Sequence, residues 1–246
     1  MKKIRRYSPV SFVVTLTALV IAACSSYEPL RPAQAQAAPG AAVEDRDDFL
    51  LITAEAAGPT ADHGIVFYPG GLVEPEAYVS MLAPLAAEGV PVAILRVPFD
   101  LAVFGVRRAE RVLESDAAQR ADQWVLAGHS LGGAMAGRFL NRHAEDAPIA
   151  GIILLASYPA DNDSLATSDH PVLSIWAEND GLATEEDRAE TAGRLPQSAT
   201  VAVIEGGNHA GFGEYGPQDD DGERTISLDS QHEQTRALIR SFLDRL

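Results

Sequence analysis

The sequence contains one cysteine, Cys24, and no second thiol to pair with it, so an intramolecular disulfide is excluded. Stability has to come from burial, and the roughly 200 residues that follow the N-terminal region suffice for one sizeable core. Basic residues are scarce: 19 Lys and Arg stand against 35 Asp and Glu, a formal charge of −16. A phosphate backbone would be repelled by such a field. Arg107, Arg108 and Arg111 alternate with Glu110 and Glu114 as on a solvated helix, so nucleic acid is not an expected partner. Acidic substrates arriving from bulk solution are disfavoured for the same reason. Both nucleotide fingerprints are missing, since no glycine loop ends in Lys-Ser or Lys-Thr and no Gly-x-Gly-x-x-Gly precedes an acid ~20 residues on. The acidic stretch Gln218 to Glu223 falls short of a calcium loop, because counting twelve positions from Asp219 reaches Ser230 and not Glu. A solvated acidic turn is expected there, and neither a metal nor an organic cofactor is expected.

Long apolar runs are also missing, with one exception. Met1-Lys2-Lys3-Ile4-Arg5-Arg6 leads into an uncharged, mostly apolar run from Tyr7 to Ala23, shorter than the ~20 apolar residues of a spanning helix. This pattern reads as an export signal over residues 1–23. Ile21-Ala22-Ala23-Cys24 resembles a bacterial lipobox. The resemblance implies cleavage before Cys24, lipidation of that residue and a membrane as partner, with secretion after nearby cleavage as the alternative. The expected location is the cell envelope, and Ser25 in place of an aspartate favours the outer membrane or cell surface. Losing the four basic residues of the leader would take the charge to −20. Residues 24–47, with Pro29, Pro32, Pro39 and Gly40, show no periodicity and read as a flexible tether, leaving 48–246 as the folded domain.

What the chain does have is Gly128-His129-Ser130-Leu131-Gly132 after the apolar run Trp124 to Ala127. A serine held at a sharp strand-to-helix turn needs small residues two positions to either side, and glycine occupies both. Leu131 to Gly137 continues with small residues, as suits a helix packed closely on a sheet. A serine hydroxyl is a weak nucleophile, so it needs an imidazole to take its proton and a carboxylate to orient that imidazole. The strand-like run Val172 to Ala177 leads into a turn with two acids, Glu178 and Asp180. Thr200 to Ile204 leads into the glycine-rich loop Glu205 to Gly213, which carries His209. The other five histidines have weaker claims: His129 is inside the turn itself, His143 lies on a polar helix, and His63, His170 and His232 sit near turns or surface segments. Backbone N–H donors for an oxyanion are expected from Leu131 and from Gly71, with Leu72 second, because Ile65 to Tyr68 ends in Pro69-Gly70-Gly71.

Together, Tyr68-Pro69-Gly70-Gly71, Gly128-His129-Ser130-Leu131-Gly132-Gly133 and Gly206-Gly207-Asn208-His209-Ala210-Gly211-Phe212-Gly213 resemble the α/β-hydrolase superfamily over about residues 48–246. The layout is similar to that of small bacterial hydrolases related to dienelactone hydrolases. The resemblance implies the order Ser130, Asp180, His209, with Glu178 second for the acid. It departs from the relatives at Pro69-Gly70, where many have His-Gly, and at Ser130, where dienelactone hydrolases have cysteine, so lactone cleavage is not carried over. The implied activity is that of an exported carboxylesterase acting on small or medium acyl esters through an acyl-enzyme. Thioesterase, lipase or amidase chemistry uses the same groups, and an idle binding module is the alternative.

The expected fold is α/β, a mostly parallel sheet flanked by helices. Strands are expected at Ile65 to Tyr68, Val92 to Val97, Trp124 to Ala127, Ile152 to Ala156, Val172 to Trp176 and Val201 to Ile204, with a further one near Phe49 to Ala54. Helices are expected at Pro75 to Glu88, Gly105 to Asp116, Leu131 to Glu145, Thr184 to Arg194 and Ser230 to Arg245. Ser157 to His170 is too short for a lid, so Ser130 should face solvent, with Leu72, Val73, Tyr158 and Phe212 as candidate apolar walls for a small-molecule ester.

Overall fold

The computed structural model describes residues 26–246 apart from 57, 59, 145 and 146. The expected signal peptide (1–23), the lipidation candidate Cys24 and the helix end at Glu145 lie outside the described residues. Eight strands form one sheet: β1 (Ala41–Asp45), β2 (Phe49–Ala54), β3 (Ala61–Tyr68), β4 (Val92–Leu95), β5 (Ala121–His129), β6 (Ile149–Leu155), β7 (Val172–Ala177) and β8 (Thr200–Ile204), in the order β1-β2-β4-β3-β5-β6-β7-β8. The pairs β1/β2 and β2/β4 are antiparallel and every other pair is parallel.

The near-continuous apolar runs of β4, β6 and β7 are what a sheet covered on both faces requires. Alternate residues feed two cores. Ile65, Phe67, Val125, Ala127, Ile153 and Leu155 point to one side, and Val66, Tyr68, Leu126, Ile152 and Leu154 to the other. Helices α2 (Val79–Ala87) and α6 (Leu228–Leu243) cover the first side. Helices α3 (Ala109–Leu113) and α4 (Leu131–His143) cover the second. The short helices α1 (Ala33–Gln36) and α5 (Glu185–Thr191) complete the set.

The tether reading of residues 24–47 is corrected where the structure describes it. Residues 41–45 form β1, pairing Ala41 with Ala54 through Asp45 with Leu50, and α1 buries Ala33 and Gln36. Upstream, the Tyr27 N–H donates to the Leu72 carbonyl (2.6 Å), the Glu74 N–H donates back to Tyr27 (3.1 Å), and Arg31 pairs with Glu214. A segment without internal periodicity is ordered here by partners outside it, the adjacent β2 as a hairpin and Leu72, Glu74 and Glu214 from farther along the chain. The segment Pro75 to Glu88 divides into a 3-10 turn, Pro75–Tyr78, and α2. Gly105 to Asp116 breaks into a 3-10 turn, Val106–Arg108, and α3. Helix α6 starts before the expected Ser230 because the Ser227 hydroxyl accepts the Ser230 N–H. Between β6 and β7 the chain forms only the 3-10 turn Asp161–Asp163, and no lid is inserted.

The sheet order reverses around β3, with β4 on one side and β5 on the other. In an open α/β sheet the crevice at the carboxyl ends of such strands is where ligands bind. Tyr68, the last residue of β3, pairs with Gly128 on β5, so the loops leaving these two strands begin side by side.

Candidate active site

Ser130 stands between β5 and α4 with φ 52° and ψ −125°, a region that non-glycine residues seldom occupy. The flanking glycines explain how the turn is accommodated. A Cβ at Gly128 would come within 2.6 Å of the backbone of Gly132 and Gly133, and one at Gly132 within 2.2 Å of the carbonyl oxygens of Tyr68 and Pro69. The turn is held by two bonds from β6 and the loop after it. The Ser130 N–H donates to the Leu155 carbonyl (2.9 Å), and the buried Ser157 hydroxyl donates to the Ser130 carbonyl (2.6 Å). Ser130 itself is half-buried.

Asp180 and His209 meet across the ends of β7 and β8. His209 Nδ1 lies 2.8 Å from one carboxylate oxygen of Asp180 and 3.0 Å from the other, and both side chains are buried. Asp180 Oδ1 also accepts the N–H groups of Leu182 (2.8 Å) and Ala183 (2.7 Å), which hold the carboxylate in place. Glu178, the other acid of the turn, instead accepts the Gly206 N–H at 2.8 Å. With Nδ1 committed to the carboxylate, Nε2 is the nitrogen left to exchange a proton with a substrate or nucleophile. The Ser130 hydroxyl makes no hydrogen bond to His209 in this structure. The two are neighbours through residue 129, whose ring centroid lies 4.5 Å from that of His209.

His129, expected only as part of the turn, ties three loops together. The Gly70 N–H donates to the Tyr78 hydroxyl (2.9 Å), which leaves the Tyr78 proton for His129 Nδ1 at 3.0 Å. This arrangement puts the remaining His129 proton on Nε2, which is buried without a hydrogen-bond partner. Burial, followed by the proximity of His209, pushes the His129 pKa well below its ordinary value, so the ring is neutral at pH 7.

The candidate oxyanion donors fall as follows. Leu131 is the first residue of α4, where an N–H has no acceptor within the helix. The Gly71 N–H donates to no backbone or side-chain acceptor among the described residues, whereas the Leu72 N–H is taken by the Asp100 carbonyl (2.7 Å), which removes Leu72 as the second donor. Gly71 lies against the elbow, since a Cβ there would be 3.2 Å from Leu131 Cδ2.

Two of the four apolar walls are corrected. Val73 and Phe212 are fully buried, Phe212 packing 5.7 Å from the His129 ring, so both belong to the core and cannot line an open pocket. Tyr158 is half-buried: it stacks on Trp176 with ring centroids 6.1 Å apart, and the Arg194 guanidinium lies over its ring at 5.7 Å. Leu72 remains half-exposed beside Gly71.

Asp221 is the site residue that the sequence conceals. Its carboxylate accepts the N–H groups of His209 (3.1 Å), Ala210 (2.9 Å), Gly181 (3.2 Å) and Gly222 (2.8 Å), clamping the histidine loop to the acid loop. The expected solvated turn is corrected to this extent, while Asp219 and Asp220 are exposed. Nothing local in three consecutive aspartates says which one faces inward. Among the described residues no group of three or more His, Cys, Asp or Glu side chains is arranged to hold a metal ion.

A family model described as the alpha/beta hydrolase family matches residues 64–233. No match is found among the curated proteins. Solved structures with the same fold include an esterase of Pyrococcus furiosus, 14% identical with a TM-score of 0.58 over 83% of this chain and 88% of that one. A thermophilic esterase of Thermogutta terrifontis, solved with propionate bound, is 16% identical with a TM-score of 0.58 over 82% and 94%. An alpha-beta serine hydrolase homologue of Coxiella burnetii is 17% identical with a TM-score of 0.57 over 82% and 96%.

Proposed function

Since the chain belongs to the alpha/beta hydrolase family, we propose that it is a serine hydrolase that cleaves carboxylic esters, with Ser130, His209 and Asp180 as its catalytic residues. The observation that carries this reading is the buried bond from His209 Nδ1 to the Asp180 carboxylate, 2.8 Å long, at the carboxyl edge of the sheet where the serine elbow also stands. The activity named for two of the structural neighbours, esterase, adds support.

In this mechanism Ser130 Oγ adds to the ester carbonyl carbon while its proton passes to His209 Nε2. The resulting oxyanion is met by the N–H groups of Gly71 and Leu131, each such donor being worth about 3 kcal/mol in the transition state. The bond to the alcohol oxygen then breaks, His209 returns the proton to that oxygen, and an acyl-enzyme remains. Water, deprotonated by His209, releases the acid and restores Ser130. Asp180 keeps the imidazole in the correct tautomer and offsets its positive charge. The hydroxyl of Ser130 has to close on Nε2 as substrate binds, and catalytic hydrogen bonds commonly tighten at that stage.

We also propose that the protein is exported and anchored by lipid on Cys24. The support is the basic start, the apolar run Tyr7 to Ala23 and the sequence Ile21-Ala22-Ala23-Cys24.

A fluorophosphonate probe, which traps activated serines, tests the hydrolase reading. The expected result is covalent labelling that vanishes in Ser130→Ala, together with hydrolysis of 4-methylumbelliferyl butyrate. A folded protein showing no Ser130-dependent labelling would favour an idle binding module, the reading suited by the unmade bond between Ser130 and His209.

A further inference from the structure

The turn region Pro98 to Phe104 presents three apolar side chains to solvent: Phe99 is 68% exposed, Phe104 61% and Val103 41%. Phe99 and Phe104 meet edge to face, with centroids 5.9 Å apart, so they form one patch. The backbone is strained to produce it. Phe99 and Asp100 both lie in the left-handed region, at φ 58° and 53°, where a bulky residue is an outlier. No burial of the Phe99 ring offsets that strain, and strain retained without a packing return points to a role at the surface.

The patch borders the candidate site. The Asp100 carbonyl accepts the Leu72 N–H (2.7 Å). Leu101, half-buried, approaches Gly71, where a Cβ would be 3.8 Å from Leu101 Cδ2 and 3.2 Å from Leu131 Cδ2. Leu101 and Leu72 therefore connect the patch to Gly71, one of the donors proposed for the oxyanion.

The same turn receives the N-terminal strap. The Ser26 hydroxyl donates to the Asp100 carboxylate (2.5 Å), and Tyr27 pairs with Leu72 and Val73. Cys24 precedes Ser26 by two residues, which can span about 7 Å at most. An acyl anchor on Cys24, as proposed above, would therefore join the chain within that reach of the Ser26 contact to Asp100.

We infer that the Phe99, Val103 and Phe104 patch is a membrane-docking face which sets the mouth of the Ser130 site against the bilayer, so that the substrate class is acyl esters drawn from the lipid phase. This rests on the hydrolase and anchor readings above. The occupant of the patch is a lipid surface because the chain beyond Ser26 leads to the anchoring residue within that short reach. The net negative charge of the chain makes a zwitterionic bilayer the appropriate surface to test.

The full chain with its anchor is reconstituted in phosphatidylcholine vesicles and given two substrates, 4-methylumbelliferyl oleate dissolved in the vesicles and 4-methylumbelliferyl butyrate free in water. In Phe99→Asn/Phe104→Asn, turnover of the oleate should fall about tenfold or more as apolar contact is lost, with butyrate turnover within about twofold. Asparagine tolerates the left-handed backbone at position 99, and retained butyrate turnover reports a folded enzyme. In a second measurement, Phe104→Trp should be quenched by brominated phosphatidylcholine, against a background of two buried tryptophans, Trp124 and Trp176. Equal loss on both substrates, no loss on the oleate, or no quenching would overturn the inference. Self-association through these residues that shields Phe104→Trp from bromolipid would also overturn it, in favour of a second copy of the chain. If wild type turns over neither substrate, the hydrolase reading fails separately, and quenching alone then decides whether the face docks on lipid.

Discussion

The hydroxyl of Tyr78 lies 3.0 Å from Nδ1 of His129 and at the same time accepts the N–H of Gly70 at 2.9 Å. One buried phenol thus links the loop after β3 to the residue that precedes Ser130, and the ring of that residue packs on His209. Tyr78→Phe leaves a buried N–H and a buried imidazole nitrogen without partners, at a cost of about 2 kcal/mol. The denaturation midpoint should fall at unchanged slope. If Tyr78 positions the Gly70-Gly71 loop, kcat on a soluble ester should fall about tenfold while KM changes little, the pattern of an interaction made only in the transition state. A variant with the lower midpoint but unchanged kcat would show a purely structural role.

Asp221 has four amide partners on two loops. Asp221→Ala should cost about 3 kcal/mol in stability, since each bond contributes on the order of 1 kcal/mol and the amides are only partly resolvated. Asp221→Asn keeps one acceptor oxygen and should fall between the two. Amide hydrogen exchange at His209 and Ala210 checks the assignment: both should lose protection in the alanine variant, and unchanged exchange would disprove the clamp.

His232 is buried with Nε2 unpartnered. Burial, and then the charge of Arg236, lowers its pKa to about 4 despite the opposing fields of Glu214 and Asp229. Its folded value lies below that of the unfolded chain, near 6.5, so the unfolded state takes up the proton first. The stabilising difference is complete above about pH 6.5 and drains away as the pH falls towards 4, reaching about 3 kcal/mol. His129 shifts in the same direction. Chemical denaturation between pH 4 and 7 should show stability decreasing on the acid side, with a shallower slope in His232→Leu. An identical slope in that variant would remove His232 as a source.

The strands were largely legible because β-branched and apolar runs such as Val172 to Ala177 mark buried sheet. Helix ends were less so. Ser227 starts α6 through a bond to the Ser230 N–H, and a serine near a helix start has several ways to be used. The order of the N-terminal strap does not show in its own residues, because it comes from a hairpin with β2 and from Leu72 and Glu214, which are far off in sequence. Sequence shows that Val73 and Phe212 are apolar without showing that both point into the core.

What the chain determined alone is local. Gly128 and Gly132 around Ser130 report a turn whose steric demands reach only two residues in each direction, so neighbouring letters suffice to recognise it. Whether Asp180 or Glu178 meets His209 is a matter of how β7 and β8 lie side by side, and Asp221 enters the site only because its loop folds back over both. Contacts between loops tens of residues apart depend on sheet order and packing, and those were decided by the tertiary structure.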